Sequence, residues 1–149
     1  MSHKIALLFL LFLFTVYFTN AQEKSFLKIK DFSKFENCVI HEISQDQYNN
    51  IWLATNLGLL KFNGKTLENF DLKFGKSSKN IQTVFTKKDT IFIGKNKSLH
   101  LKTRNNLFTF KAKSVNKIFE YKNEYFIASN QGILHFRKDY LQPLKTTYN

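Results

Sequence analysis

A short block occurs three times in this chain, at Ile51–Phe62, Ile91–Leu101 and Tyr125–Phe136. The copies begin about 40 and then about 34 residues apart, a spacing typical of stacked β units such as propeller blades. Each copy has an aromatic residue in an apolar run, then Asn, then Gly or Ser two residues later, and then a second apolar stretch. Because such a unit cannot bury its faces alone, the repeat predicts similar sheets packed on one another.

The apolar runs predict strands that are covered on both sides. Ile51–Thr55 is apolar at almost every position, whereas a strand with one wet face would alternate with polar residues. The steps Asn56–Gly58 and Asn130–Gly132 predict tight hairpins, since glycine adopts positive φ without cost and asparagine tolerates it. In the middle copy Ser98 replaces this glycine, so that unit is the degenerate one.

Each copy is preceded by another candidate strand, at Val39–Ser44, Ile81–Phe85 and Val115–Phe119. A fourth strand follows, most clearly at Thr66–Phe70, and no segment shows helical periodicity. These patterns predict an all-β fold, a partial β-propeller of about three four-stranded antiparallel blades. The predicted propeller segment spans 22–149, with blades at roughly 37–72, 78–112 and 113–144.

The first 21 residues predict an export signal rather than part of the fold. A short basic start, Met1–Lys4, precedes the apolar run Ile5–Phe18 and small or polar residues up to Ala21. This order predicts a secretory signal cleaved between Ala21 and Gln22. The alternative is a membrane anchor, but a run of about 14 residues falls short of the roughly 20 that span a bilayer. We therefore expect a periplasmic or extracellular protein with no membrane span after signal removal.

The charge of the chain does not favour a nucleic-acid partner. The net charge is +12, but all but two of the 23 basic residues are lysine, and they are scattered. Base and phosphate recognition usually relies on arginine. Cys38 is the only cysteine, so the sequence predicts a free, buried thiol and no internal disulfide.

The first copy with its preceding turn resembles a known repeat. Its pattern is Ile43-x-x-Asp46-x-x-x-Asn50-Ile51-Trp52-Leu53-Ala54-Thr55-x-x-Gly58-Leu59-x-x-Phe62. It is similar to the two-component regulator propeller repeat, found in the periplasmic sensor region of hybrid histidine kinases, especially of the Bacteroidetes type. The resemblance covers roughly 37–140, and the later copies depart from it by carrying Phe in place of Trp. It assigns structural roles in the repeat to Asp46, Trp52, Thr55, Gly58, Phe92, Phe126 and Gly132.

The resemblance implies a function as well as a fold. Members of that family carry many such repeats, followed by an immunoglobulin-like domain, a membrane helix and kinase or DNA-binding modules. It therefore implies a non-enzymatic extracytoplasmic sensor or ligand-binding segment, the N-terminal part of a longer signalling protein. The implied partners are an extracellular glycan or another small ligand, and the remaining blades or kinase domains of a parent chain. The alternative is a secreted propeller-type polysaccharide lyase or hydrolase, or a carbohydrate-binding fragment.

The sequence predicts no catalytic residue, cofactor or metal site. The histidines, among them His41, His100 and His135, lack metal-ligand spacing to Cys, Asp or Glu. Asp46 with Asn49 and Asn50 favours a turn capped by side chains over a calcium loop. Trp52 lies in a strand predicted to be covered on both faces, which favours a core role over a sugar-stacking one.

Overall fold

The computed structural model describes residues 33–70, 79–137 and 140–144; the predicted signal segment, with Ala21 and Gln22, lies outside them. The described chain forms three four-stranded antiparallel sheets, which confirms the all-β prediction. Each sheet is built from four consecutive strands paired in chain order. Sheet 1 contains β1 (Ile40–Gln45), β2 (Ile51–Thr55), β3 (Gly58–Phe62) and β4 (Leu67–Asn69); sheet 2 contains β5 (Thr83–Lys87), β6 (Thr90–Gly94), β7 (Ser98–Lys102) and β8 (Leu107–Lys111); sheet 3 contains β9 (Val115–Tyr121), β10 (Glu124–Ser129), β11 (Gly132–Arg137) and β12 (Tyr140–Pro143).

The chain enters sheets 2 and 3 through the same main-chain contact. The Ile81 N–H donates to the Thr55 carbonyl at 2.9 Å, and the Val115 N–H donates to the Lys95 carbonyl at 3.1 Å. Ile81 is therefore bonded to the preceding sheet, and β5 begins at Thr83, two residues after the predicted start at Ile81. In both cases an entering segment is fixed to the hairpin of the sheet before it.

The Asn-x-Gly hairpins form, but asparagine has a different role from the predicted one. Gly58 and Gly132 do adopt positive φ, at 136° and 93°. Asn56 and Asn130 are not among the described residues with positive φ. Instead, the Asn56 carboxamide accepts a hydrogen bond from the Val39 N–H at 2.7 Å and so holds the hairpin against the start of β1. The asparagine serves as a side-chain tie, which only the three-dimensional contact reveals.

A hydroxyl at the end of the second strand closes the same hairpins. Thr55 Oγ1 donates to the Gly58 carbonyl at 2.7 Å and accepts from the Gly58 N–H at 3.1 Å. Ser129 Oγ donates to the Gly132 carbonyl at 2.8 Å in the third copy. These contacts explain why a hydroxyl residue and a glycine occur three positions apart in both the first and the third copy.

The sheets pack through faces that keep one direction along the chain. We call the face of a sheet turned toward the next sheet its forward face and the opposite one its rear face. Trp52 and Phe92, equivalent in the repeat, are both buried on forward faces. Ile93 lies on the rear face of sheet 2 and is fully buried. The first core joins sheets 1 and 2 through Trp52, Ala54, Leu59, Ile81, Val84 and Ile93; the second joins sheets 2 and 3 through Phe92, Leu99, Leu101, Val115, Ile118, Ile127, Leu134 and Phe136.

The two outer faces of the array differ in how they are covered. The rear face of sheet 1 buries Leu53, Leu60 and Leu67, with Phe35 and the half-buried free thiol of Cys38 packed against them. On the forward face of sheet 3, Phe126 stacks on Phe119 and on the His135 ring, with centroids 5.4 and 4.7 Å apart. Phe119 is 40% exposed. Within the described ranges, no helix has the length and hydropathy needed to cross a bilayer.

Candidate functional site

A cleft of about 450 Å³ opens between sheets 1 and 2, a size typical of small-molecule sites. It lies at the end of the sheets that carries the β1–β2, β5–β6 and β7–β8 turns. We call it the Trp52 cleft, after the residue at its floor. The side chains used below are Asp46, Tyr48, Trp52, Lys61, Phe70, Lys88, Asp89, Lys102 and Arg104, all of which line it.

The floor of the cleft is an indole fixed by a carboxylate. Trp52 is only 3% exposed, and Phe70 meets its ring edge-on at a centroid distance of 4.8 Å. The Trp52 Nε1–H donates to Asp46 Oδ2 at 2.8 Å. A buried indole N–H requires such a partner. The contact joins two residues of the repeat motif and explains why they lie six residues apart.

Asp46 also caps the turn between β1 and β2. Its Oδ1 accepts from the Tyr48 N–H and the Asn50 N–H, both at 2.9 Å, which confirms the predicted Asx-type cap. Burial by itself raises the pKa of Asp46, but the hydrogen bonds from Trp52, Asn50 and Tyr48 outweigh it and lower the pKa below the usual value. The carboxylate is therefore a charged structural acceptor at neutral pH.

The rim of the cleft is a polar network that joins turns from both sheets. The Asp89 carboxylate accepts hydrogen bonds from the Tyr48 hydroxyl at 2.6 Å and from Gln47 Nε2 at 2.7 Å. Arg104 Nη2 lies 3.7 Å from the same carboxylate. Because all of these groups are exposed, the net stabilisation is small and a ligand can exchange with them.

Cationic groups outnumber carboxylates around the cleft. Lys61 Nζ lies 5.5 Å from the centroid of the Trp52 ring, within cation–π range. Lys102 Nζ donates to the backbone carbonyls of Thr103 and Arg104. With Lys88 and Arg104, four cations face the two carboxylates of Asp46 and Asp89. The cleft therefore offers a positive potential next to apolar ring surface.

The structure brings together only part of the predicted motif. Asp46 and Trp52 meet in the cleft, whereas Thr55 and Gly58 lie at the opposite end of β2 in the hairpin. The remaining motif residues lie in other sheets: Phe92 in the core between sheets 2 and 3, Phe126 on the forward face of sheet 3, and Gly132 in the third hairpin.

Sequence reasoning assigned Asp46 and Trp52 and missed the other seven side chains of the site, four of which show why. Lys61 could have been found from the strand pairing of the hairpin, since it is the register partner of Trp52. Tyr48 stands inside the turn that the motif already marks. Asp89 and Arg104 come from the second unit, about 40 residues further along. No pattern within one repeat could have assigned them, because the packing of one sheet on the next brings them to the cleft.

No family model matches the chain. No solved structure matches it either. Among the described residues, no cluster of three or more His, Cys, Asp or Glu side chains could hold a metal ion. His41 and His100 make hydrogen bonds to protein groups, to the Ile81 carbonyl at 2.7 Å and to Thr109 Oγ1 at 2.9 Å.

Proposed function

We propose that this chain is a non-enzymatic ligand-binding segment of an exported β-propeller sensor, with the ligand bound in the Trp52 cleft. The remaining blades and the signalling domains would belong to a longer parent protein, as in the family that the repeat resembles. The observation that carries the proposal is the cleft itself. It combines ring surface, a surplus of positive charge and an exchangeable polar rim at a junction between two repeats.

The propeller arrangement is supported by the contacts of the first strand of each sheet. Glu42 on β1 contacts Thr83 on β5 and Lys117 on β9. Lys87 on β5 pairs with Glu120 on β9 at 2.7 Å. Three first strands that share one polar region are what a propeller requires, since its innermost strands surround a common axis. The constant direction of the forward faces supports the same arrangement.

The chemistry of the cleft favours a glycan fragment that carries carboxylate groups. The apolar face of a sugar ring packs well on an aromatic side chain, and the exposed Tyr48 ring offers such a surface. Arg104, Lys88 and Lys102 provide charge-assisted donors for a carboxylate. The floor residue Trp52 is too buried to stack on a sugar itself, so it orients the rim and senses what binds there.

Intrinsic fluorescence tests this proposal directly, because Trp52 is the only tryptophan of the chain. The full chain is titrated with a uronic-acid oligosaccharide and with a neutral oligosaccharide of equal length. We expect a saturable change in Trp52 emission with the acidic ligand, weakened about ten-fold or more by Arg104→Ala, which removes a charge-assisted donor.

Lys65→Gln is the matched control, since it removes one positive charge at an exposed turn outside the cleft. Equal weakening by Lys65→Gln and Arg104→Ala would show that binding depends on net charge alone, which would contradict the proposal. The absence of any saturable change with either oligosaccharide would contradict it as well.

A further inference from the structure

The middle repeat departs from the other two at the β6–β7 hairpin, which lies at the end of sheet 2 opposite the Trp52 cleft. Four positions change from apolar, small, hydroxyl or amide side chains to lysine, serine or histidine. Lys95 stands where the other copies have Thr55 and Ser129, Lys97 where they have Leu57 and Gln131, Ser98 where they have Gly58 and Gly132, and His100 where they have Leu60 and Leu134.

These four substituted residues line a single pocket of about 490 Å³. Lys79 and the carboxamides of Asn80 and Asn96 complete its lining. Every lining side chain in the described part of the chain is cationic, titratable to a cation, or a neutral hydrogen-bonding group. The departures from the repeat therefore converge on one place instead of being spread over the unit.

The substitutions work against the stability of the hairpin. In the first copy Thr55 Oγ1 bonds to both polar backbone groups of Gly58, and a lysine at that position cannot repeat this clamp. Leu60 is fully buried, whereas the buried His100 needs polar partners and bonds to Ser98 Oγ at 2.8 Å and Thr109 Oγ1 at 2.9 Å. Both ring nitrogens of His100 are hydrogen-bonded, so the exchange replaces a buried leucine with a satisfied polar ring at the wall of the pocket.

Burial and mutual repulsion both act on the titratable groups of this pocket. Burial, and then the charge of Lys95, lower the pKa of His100 to about 4. Burial also lowers the pKa of Lys95. An anion placed among these groups would relieve both effects, because an opposite charge nearby favours the protonated form of a lysine or histidine.

We propose that this pocket binds a tetrahedral oxyanion, a phosphate or sulfate group, through Lys79, Lys95 and Lys97, with Ser98 and the two asparagine carboxamides as neutral donors. Ammonium groups are point donors suited to such an anion. The site is separate from the Trp52 cleft and belongs to the second repeat alone. It goes beyond the proposed function, and each of the two proposals can fail without the other.

The test uses sulfate on the full chain, because sulfate keeps its charge across the pH range in which His100 titrates. Binding is followed by two-dimensional NMR of the His100 ring and the β6–β7 backbone, with sodium chloride at equal ionic strength as reference. We expect saturable shifts confined to this hairpin and an upward shift of the His100 pKa with sulfate. Lys95→Gln with Lys97→Gln should weaken binding about ten-fold or more, and so should Lys79→Gln alone.

The control variant combines Lys65→Gln with Lys122→Gln, which removes two positive charges on turns outside the pocket. Lys79→Gln changes only an exposed residue, so it tests the site even if the double variant unfolds. Non-saturable shifts, a chloride effect equal to that of sulfate, or equal weakening by the control variant would overturn the proposal.

Two further titrations distinguish the sources of the anion. Saturation by inorganic phosphate identifies a free ion as sufficient. Saturation by methyl phosphate alone identifies an ester group on a larger molecule. Either result adds to saturable sulfate binding by identifying the source of the anion, and failure of sulfate overturns the proposal whatever the two phosphates do. Trp52 emission should not change in any of these titrations, which keeps this result independent of the cleft.

Discussion

The contact between Asp46 and Trp52 predicts a large and measurable energetic coupling. Asp46→Ala removes the carboxylate that accepts the indole N–H and leaves that donor buried, because Trp52 is 3% exposed. A hydrogen bond to a charged group contributes about 1.5–3 kcal/mol. The lost turn caps at Tyr48 and Asn50 add to this, so we expect the free energy of unfolding to fall by about 3 kcal/mol.

A double-mutant cycle isolates the contact from the turn. Trp52→Phe removes the donor and keeps an aromatic ring, so Asp46→Ala should cost about 1.5–2 kcal/mol less in that background. Unfolding in urea, followed by far-UV circular dichroism, measures all four variants without relying on Trp52 emission.

Asp89→Ala is the matched comparison for this cycle. Its carboxylate also accepts two side-chain hydrogen bonds, but it is exposed, so the expected loss is less than about 1 kcal/mol. A coupling energy below about 0.5 kcal/mol between Asp46 and Trp52 would refute the reasoning, since the contact would then be no stronger than an exposed one.

Three other predictions follow from the packing and from one buried histidine. Gly94→Ala should destabilise the chain by about 1–3 kcal/mol in urea unfolding, because an added Cβ would contact Thr83 Cγ2 and lie 2.5 Å from Val115 Cγ1; no loss would contradict the close approach of sheets 2 and 3. Phe92→Ala should cost about 3–5 kcal/mol, and Phe126→Ala at the equivalent position clearly less; equal losses would contradict the directional packing. The pKa of His100 is lowered from 6.5 to about 4, so the unfolded chain binds the proton first and stability should fall as pH drops from 6.5 to 4. His100→Leu should remove that part of the pH dependence of the melting temperature, and an unchanged dependence would assign it to other groups.

The sheets themselves were predictable because their signal is local. Apolar runs covered on both faces, Asn-x-Gly steps and a constant spacing define three similar units, and each unit forms the expected four strands. The predicted start of β5 lies two residues before the observed one, and the intervening Ile81 bonds to Thr55 in the preceding sheet. Contacts of that kind join distant parts of the chain and leave no local pattern.

Only Asp46 and Trp52 of the candidate site could be predicted from the sequence, for the same reason. Asp46 and Trp52 belong to one motif, so the repeat marks them both. Asp89 and Arg104 reach the cleft from the next unit, and their role exists only once two sheets have packed. The pocket at the β6–β7 hairpin had a different signal: the middle copy is degenerate at Ser98, but the sequence alone does not show that the altered positions line one cavity.

The constant direction of the packing faces has a consequence for how such a protein changes length. A duplicated or deleted segment preserves the match between a forward face and the rear face of the next sheet only when it contains a whole number of four-stranded units. A partial insertion would break that match at one junction and would leave the incoming segment without the hairpin carbonyl to which Ile81 and Val115 bond. Gain or loss of whole units would keep the remaining junctions intact.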